Sequence, residues 1–242
     1  MCPNPEKMIN LRKNEPIVRS NGPIGLVGGG KIGDSDLNLV LNRVNSVVAA
    51  DGGASILIDS GVVPEAVIGD FDSLDDATRR CIAEDRLFQI DEQDSTDFDK
   101  ALRSIDAPLV VGAGFLGGRL DHQLAVLNTL VTRLNPVCIL LGAHEVVFHA
   151  PPSIVLDLAP GEIVSLFPLR RVTGRSHGLE WSIDKLVFEP DGQVGTSNRA
   201  VSQVQLHLDG PGLLVMVPRD ALDQVMQAFL SGRTGRWPFL AE

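Results

Sequence analysis

Along the first two-thirds of the chain, short unbroken apolar runs recur between stretches with helical spacing. The runs at 24–27, 46–50, 66–68, 87–90, 109–111 and 137–141 predict strands. Between them, helices are predicted near 35–43, 54–60, 74–85, 97–104 and 121–134. In the last of these, Leu124, Leu127, Leu130, Val131 and Leu134 recur at the interval of one helical face. Strands that are apolar throughout and alternate with amphipathic helices imply an α/β fold, a parallel sheet covered on both faces.

The texture changes at His149-Ala150-Pro151-Pro152-Ser153. Beyond it, strand-like runs at 154–158, 162–167, 179–183, 186–188, 201–208 and 213–217 are punctuated by Gly, Pro, Asp and Asn. Helical periodicity is nearly absent there, which reads as a small antiparallel β-domain. The chain then returns to helix. Ala221, Leu222, Val225, Met226, Phe229 and Leu230 form one apolar stripe, expected to pack on the chain's own core or on a partner subunit. The division is therefore residues 1–150, with 1–22 as an extension, and residues 151–242.

Composition adds exclusions. An apolar fraction of 44% with 21% charged residues describes a globular chain, and a net charge of −10 argues against a nucleic-acid or anionic-membrane surface. Cys2, Cys81 and Cys138 lack metal-ligand spacing and read as free thiols in a reducing compartment. No signal-peptide pattern is visible in residues 1–16, and no apolar run approaches bilayer length, so a cytoplasmic location is expected.

Acidic residues are concentrated where predicted strands end. Asp51, Asp70, and the pair Asp94 and Asp97 each follow a different strand, and in open parallel sheets the carboxyl ends of strands form the ligand edge. Asp70 and Asp72 are two apart, so an extended segment would point both carboxylates one way and Phe71 into the core. Two carboxylates at about 4 Å repel by roughly 4 kcal/mol at an effective dielectric near 20, so a cluster needs a cation. Oxygen-only ligands favour Mg²⁺ over zinc, and Mg²⁺ usually brings phosphates. Ser73 is expected to cap a helix whose first turn holds Asp75 and Asp76, and Thr96 with Asp99 has the same form. Asp51 reads equally as a helix cap or a site acid.

Two glycine-rich turns flank this edge. Gly28-Gly29-Gly30-Lys31-Ile32-Gly33 formally matches a dinucleotide fingerprint, with Asp51 at the distance of a ribose contact. A nicotinamide site, however, has no use for clustered carboxylates. The second turn, 112–118, leads to Arg119, whose fork suits phosphate oxygens, and Lys100 offers a second positive charge. Asp121 reads as either a helix cap or a functional acid, and His122 as a structural hydrogen-bonder.

Several motifs together resemble the thiamine pyrophosphokinase family. They are Ala50-Asp51-Gly52-Gly53-Ala54, Gly69-Asp70-Phe71-Asp72-Ser73, the run from Gln93 to Leu102, and Gly117-Gly118-Arg119-Leu120-Asp121-His122. In the second domain Ser165-Leu166-Phe167-Pro168-Leu169, Gly178-Leu179-Glu180-Trp181 and Gly195-Thr196-Ser197-Asn198 look like the family's substrate motifs. The resemblance covers roughly residues 24–217; the N-terminal extension and the helix after Pro218 depart from it.

That resemblance implies an α/β/α catalytic domain followed by a small antiparallel β-sandwich. It also implies transfer of pyrophosphate from ATP to the thiamine hydroxyl, giving thiamine diphosphate and AMP. Asp70, Asp72 and Asp97 would hold Mg²⁺ and phosphates with Asp51 nearby, and Asp121 would help arrange the site. Thr96, Lys100, Arg119 and His122 would serve the nucleotide. Gln93 and Asp97 would lie toward thiamine, Trp181 would stack on its pyrimidine ring, and Ser197 and Asn198 would line the same pocket. The family also implies a homodimer with shared sites. From the residues alone Trp181 reads instead as a core aromatic. Three other readings compete: another acceptor such as a hydroxymethylpterin, an NAD-type protein, and a non-catalytic nucleotide or thiamine sensor.

Overall fold

A computed structural model describes residues 15–33 and 35–238. Most of the predicted extension, with Cys2, lies outside the described residues. Its end forms β1 (Val18–Arg19), which pairs in parallel with β6 (Ile105–Asp106).

Five apolar strands build the centre. They are β2 (Ile24–Val27), β3 (Ser46–Ala50), β4 (Ala66–Gly69), β7 (Val110–Ala113) and β8 (Cys138–Leu141), with β5 (Leu87–Gln89) at the edge. All six run parallel in the order β5-β4-β3-β2-β7-β8. Leu26, Val48, Ile68, Val111 and Ile139 are fully buried. Each such side chain contributes about 1.5–3 kcal/mol on leaving water, which is why these strands take no polar face. The helices α1 (Asp36–Leu41), α2 (Gly53–Asp59), α3 (Asp76–Arg80), α4 (Asp97–Arg103) and α5 (Leu120–Thr132) connect them. The helix predicted over 74–85 is only five residues long. Ala83 is extended (ψ 141°), and a single 3₁₀ turn at Glu84–Arg86 follows, because Thr78 and Ile82 are the only buried positions between 74 and 85 to hold a longer helix.

The sheet does not stop at the change of texture. A strand missed in sequence, β9 (Glu145–His149), pairs antiparallel with β8 and with β15 (Leu213–Pro218), and β15 pairs with β11 (Ile163–Pro168). The long β14 (Gly195–Leu208) joins two layers. Its first residues continue this sheet through β11, and its last ones pair with β10 (Ser153–Leu156) and β12 (Val172–Leu179). Between the layers Ile154, Leu156, Val164, Leu166, Val204 and Leu206 share one core, a β-sandwich. The short β13 (Val187–Phe188) edges β12.

The strand predicted at 179–183 is displaced. The real strand is β12, whose Gly174, Arg175, His177 and Gly178 conceal the alternation. The C-terminal stripe forms α6 (Leu222–Leu230), which buries Leu222, Val225 and Met226 in the chain's own core. Among the described residues no helix is long and apolar enough to cross a membrane.

Candidate active site

From β2 the chain winds outward one way through β3, β4 and β5, then returns to the other side at β7 and β8. The crevice between β2 and β7 is therefore the topological switch point, where open α/β sheets bind ligands. A cleft of about 580 Å³ opens there, walled by Gly28, Gly29 and Gly30 on one side and by Gly114 and Phe115 on the other. Gly30 donates its N–H to Gly114 O at 3.0 Å, and a Cβ on Gly30 would lie 2.4 Å from that oxygen. Glycine is needed there for the two turns to meet. Phe115 packs on Phe98 with ring centroids 4.7 Å apart.

Three elements deliver carboxylates to the cleft. Asp51 follows β3 in the left-handed region (φ 42°) and is 3% exposed. It packs against Gly69, where a Cβ would come within 2.8 Å of the Asp51 Cβ. Its Oδ2 accepts the Ser73 N–H at 3.1 Å, and its buried Oδ1 has no hydrogen-bond partner among the described residues. Asp70 follows β4 and Asp97 opens α4. One oxygen from each of Asp51, Asp70 and Asp97 lies within 4.8 Å of the others.

Lys100, one turn into α4 and 1% exposed, places its Nζ 2.9 Å from Asp70 Oδ2 and 3.1 Å from Asp97 Oδ1. One ammonium does not neutralise three carboxylates. At 4.8 Å each like-charged pair costs about 3 kcal/mol at an effective dielectric near 20. Burial pushes the Asp51 carboxyl up to about 6; Asp97's charge adds to the rise, and Ser73's N–H opposes it. The hydrogen bond from Lys100 holds Asp70 below the usual carboxylate range. Burial acts to lower the Lys100 pKa, but its bonds to Asp70 and Asp97 outweigh burial and raise it.

The loop after β4 departs from the extended geometry expected of it. Phe71 has φ 66°, which breaks the alternation that would align Asp70 with Asp72. Asp72 is exposed, accepts from Ser73 Oγ at 2.8 Å and lies outside the converging trio. Phe71 is half-buried against the α2–α3 side of the sheet, with the Arg79 guanidinium 5.8 Å from its ring centre. The cap of α3 is Asp75 rather than Ser73, since the helix starts later; Asp75 accepts from the N–H groups of Ala77 and Thr78, each at 2.9 Å.

Thr96 caps α4 by accepting the Asp99 N–H at 3.2 Å. The Asp99 side chain has a different task from capping. It is buried and takes Arg133 at 2.7 and 3.0 Å, tying α4 to the end of α5.

Thr96, Arg119 and His122 line the cleft with the trio and Lys100; so do Ser95 and Phe115, which sequence reading did not single out. Their signal was position alone, each within a motif already noted. Arg119 is exposed and forks onto Asp121 at 3.2 and 2.6 Å. Arg119, not Asp121, occupies the capping position of α5.

Asp72, Gln93, Asp121, Trp181, Ser197 and Asn198 do not line the cleft. Trp181 is 55% exposed and so is no core residue of the β-sandwich. Asn198 is buried, and its carboxamide meets both backbone groups of Trp181. Oδ1 accepts from the Trp181 N–H at 3.1 Å, and Nδ2 donates to Trp181 O at 2.7 Å. Ser197 has φ 62° and donates its N–H to Ser165 Oγ at 2.9 Å. The three substrate-motif segments noted in sequence thus include two pairs that touch.

Fold and site define an α/β protein with a glycine-walled ligand cleft and an acidic cluster at its switch point. Residues 37–140 match the model of the thiamin pyrophosphokinase catalytic domain. Thiamine pyrophosphokinase from Bacillus subtilis (strain 168) is 31% identical over 112 residues, 43% of this chain and 52% of that protein. Thiamine pyrophosphokinase 3 from Oryza sativa subsp. japonica is 25% identical over 191 residues, 65% of this chain and 72% of that protein. Two solved structures share the fold. Thiamin pyrophosphokinase from Candida albicans has a TM-score of 0.69 at 16% identity, covering 83% of this chain and 93% of its own. The yeast enzyme has a TM-score of 0.68 at 16% identity, covering 93% and 98%. The chain thus carries a segment similar to the thiamin pyrophosphokinase catalytic domain, on the fold of the solved thiamin pyrophosphokinases.

Proposed function

We propose that this protein transfers the pyrophosphoryl group of ATP to the hydroxyl of thiamine, releasing thiamine diphosphate and AMP. The observation that carries the reading is the convergence of Asp51, Asp70 and Asp97 with Lys100 in the glycine-walled cleft. The donor set suits a hard divalent cation: all ligands are carboxylate oxygens, and Asp51 Oδ1 is buried without a partner among the described residues. Asp51, Asp70 and Asp97 would hold Mg²⁺, with Asp72 at the exposed margin. Bound there, the ion would offset charge on the phosphates.

The chain's own groups do the remaining work. The glycine turns let backbone approach the triphosphate, while Lys100 orients Asp70 and Asp97 and presents its ammonium to the phosphates. Arg119, at the rim beside His122 and Thr96, is free to exchange Asp121 for a phosphate oxygen. The thiamine hydroxyl attacks the β-phosphorus, the bond from that phosphorus to the α-phosphate oxygen breaks, and the hydroxyl proton is released. Positioning and electrostatic stabilisation account for catalysis.

In this reading residues 1–150 form the catalytic domain and residues 151–242 supply the acceptor side. Trp181 stacks on the flat cationic substrate, with Ser197 beside it and Gln93 toward the same end. Trp181 is exposed and does not line its own chain's cleft, which supports a homodimer in which each subunit completes the other's site. A cytoplasmic location follows from the same reading. The dinucleotide alternative loses its ribose contact, because Asp51 is turned inward against Asp70 and Asp97.

The test is incubation with ATP, Mg²⁺ and thiamine, alongside a hydroxymethylpterin as alternative acceptor. Thiamine diphosphate and AMP in equal amounts, dependent on Mg²⁺, are expected. Turnover only with the pterin, or none with any acceptor, contradicts the reading.

A further inference from the structure

The segment after Pro218 lies beyond the matched family region, yet it reaches the same sheet edge as the carboxylates. Strand β15 runs parallel to β8, two strands away, with Val217 level with Leu141 through their shared partner Val146. Arg219 therefore emerges beside Gly142. Its backbone N–H donates to His144 O at 3.0 Å and its Nη1 to Gly142 O at 3.1 Å. Its Nη2 donates to Oδ1 of Asp36, the first residue of α1, and this ion pair is largely buried.

The other oxygen of that carboxylate is also engaged. Asp36 Oδ2 accepts the Gly33 N–H at 2.8 Å, and Asp36 donates its own N–H to Gly33 O at 2.9 Å. Gly33 ends the Gly28–Gly33 turn, whose first three residues wall the cleft. A continuous chain of hydrogen bonds thus runs from the C-terminal segment through Asp36 to the turn. At the other end of α1, Arg43 forks onto Asp223 of α6, so the helix is held at both ends but meets the turn at only one.

We propose that Arg219 is a positioning residue for the glycine turn, acting through Asp36. The ion pair fixes the Asp36 carboxylate so that its second oxygen, Oδ2, faces the Gly33 N–H, which sets the shape of the wall against which a phosphate ligand lies. The C-terminal segment, unexplained by the family resemblance, thereby supports the cleft.

The test compares Arg219→Ala and Asp36→Asn with Asp223→Ala, which frees the far end of α1 without touching the turn. Amide exchange of residues 26–33 in the unliganded full chain is the primary readout, and it is independent of the proposed pyrophosphokinase activity. Arg219→Ala and Asp36→Asn should each speed exchange at Gly33 about five- to tenfold, while Asp223→Ala leaves it unchanged. Equal exchange in all three variants and the wild type overturns the proposal, as does equal acceleration by Asp223→Ala. If Arg219→Ala fails to fold, Asp36→Asn decides alone. Calorimetric titration with MgATP, the arm that rests on the proposed function, should show weaker binding in the first two variants only. If the wild type binds no MgATP, that reading fails while the exchange result still stands.

Discussion

Lys100 Nζ lies 2.9 Å from Asp70 Oδ2, although the two residues are thirty positions apart in sequence. The contact joins the loop after β4 to the first turn of α4, and the same ammonium reaches Asp97 at 3.1 Å. Lys100 is thus the internal counter-charge of the acidic cluster. Lys100→Met should destabilise the protein by about 1–3 kcal/mol, since carboxylates in a charge-assisted hydrogen bond lose their donor. Thermal melts should also show a larger stabilisation by added Mg²⁺ in the variant than in the wild type. Equal melting temperatures with and without Mg²⁺ in both proteins would count against this role.

Asp51 carries the opposite sign. Burial raises its carboxyl from 3.8 to about 6 in the folded chain, so the folded state binds its proton more tightly than the unfolded one. Below about pH 4 both states are protonated and nothing is lost. The penalty grows as pH rises from 4 to 6 and is complete above 6. Asp51→Asn should therefore stabilise the metal-free protein at pH 7.5 by on the order of 3 kcal/mol while weakening Mg²⁺ binding. Chemical denaturation without metal, paired with Mg²⁺ titration, checks both halves.

His149 offers a separate pH test far from the cleft. Its Nε2 accepts the Gly212 N–H at 2.8 Å, and burial, with Arg170 nearby, lowers its pKa from 6.5 to about 4. The unfolded chain takes up this proton as pH falls through 6.5 and the folded chain does not. Stability from this group is full above pH 6.5 and falls by on the order of 3 kcal/mol on approach to pH 4. His149→Gln should flatten that part of the stability profile relative to the wild type. Parallel profiles for the two proteins would contradict the assignment.

Asn198 is fully occupied with backbone, so its effect on substrate should pass through Trp181. Asn198→Ala and Trp181→Ala should both raise the KM for thiamine about tenfold or more, with the KM for ATP unchanged. Steady-state kinetics with each substrate varied in turn would show it. An effect of Asn198→Ala on ATP alone would reject this role.

The parallel half of the fold was legible because its strands are buried on both faces and leave uninterrupted apolar runs. Strand β12 was not, because Gly174, Arg175, His177 and Gly178 interrupt its alternation. Strand β9 is apolar at Val146, Val147 and Phe148, but three residues are too short a run to set it apart from the strand that precedes it. In the site, Asp70 and Asp97 could be read from their places after strands. The sequence leaves Asp51 open, since its role rests on a left-handed backbone and on contact with Gly69, on the next strand of the sheet. The spacing aligns Asp72 with Asp70 only in extended backbone, and the positive φ of Phe71 removes that alignment. Pairings such as Arg119 with Asp121, Asp99 with Arg133 and Arg219 with Asp36 depend on side-chain reach in the folded chain, which spacing does not encode.

The most direct test of the account is the fate of the β-phosphorus. With ATP labelled at the β-phosphate, Mg²⁺ and thiamine, all of the transferred label should leave with thiamine diphosphate, and the nucleotide product should be unlabelled AMP. Label retained in ADP, with thiamine monophosphate as the product, would contradict transfer of an intact pyrophosphoryl group.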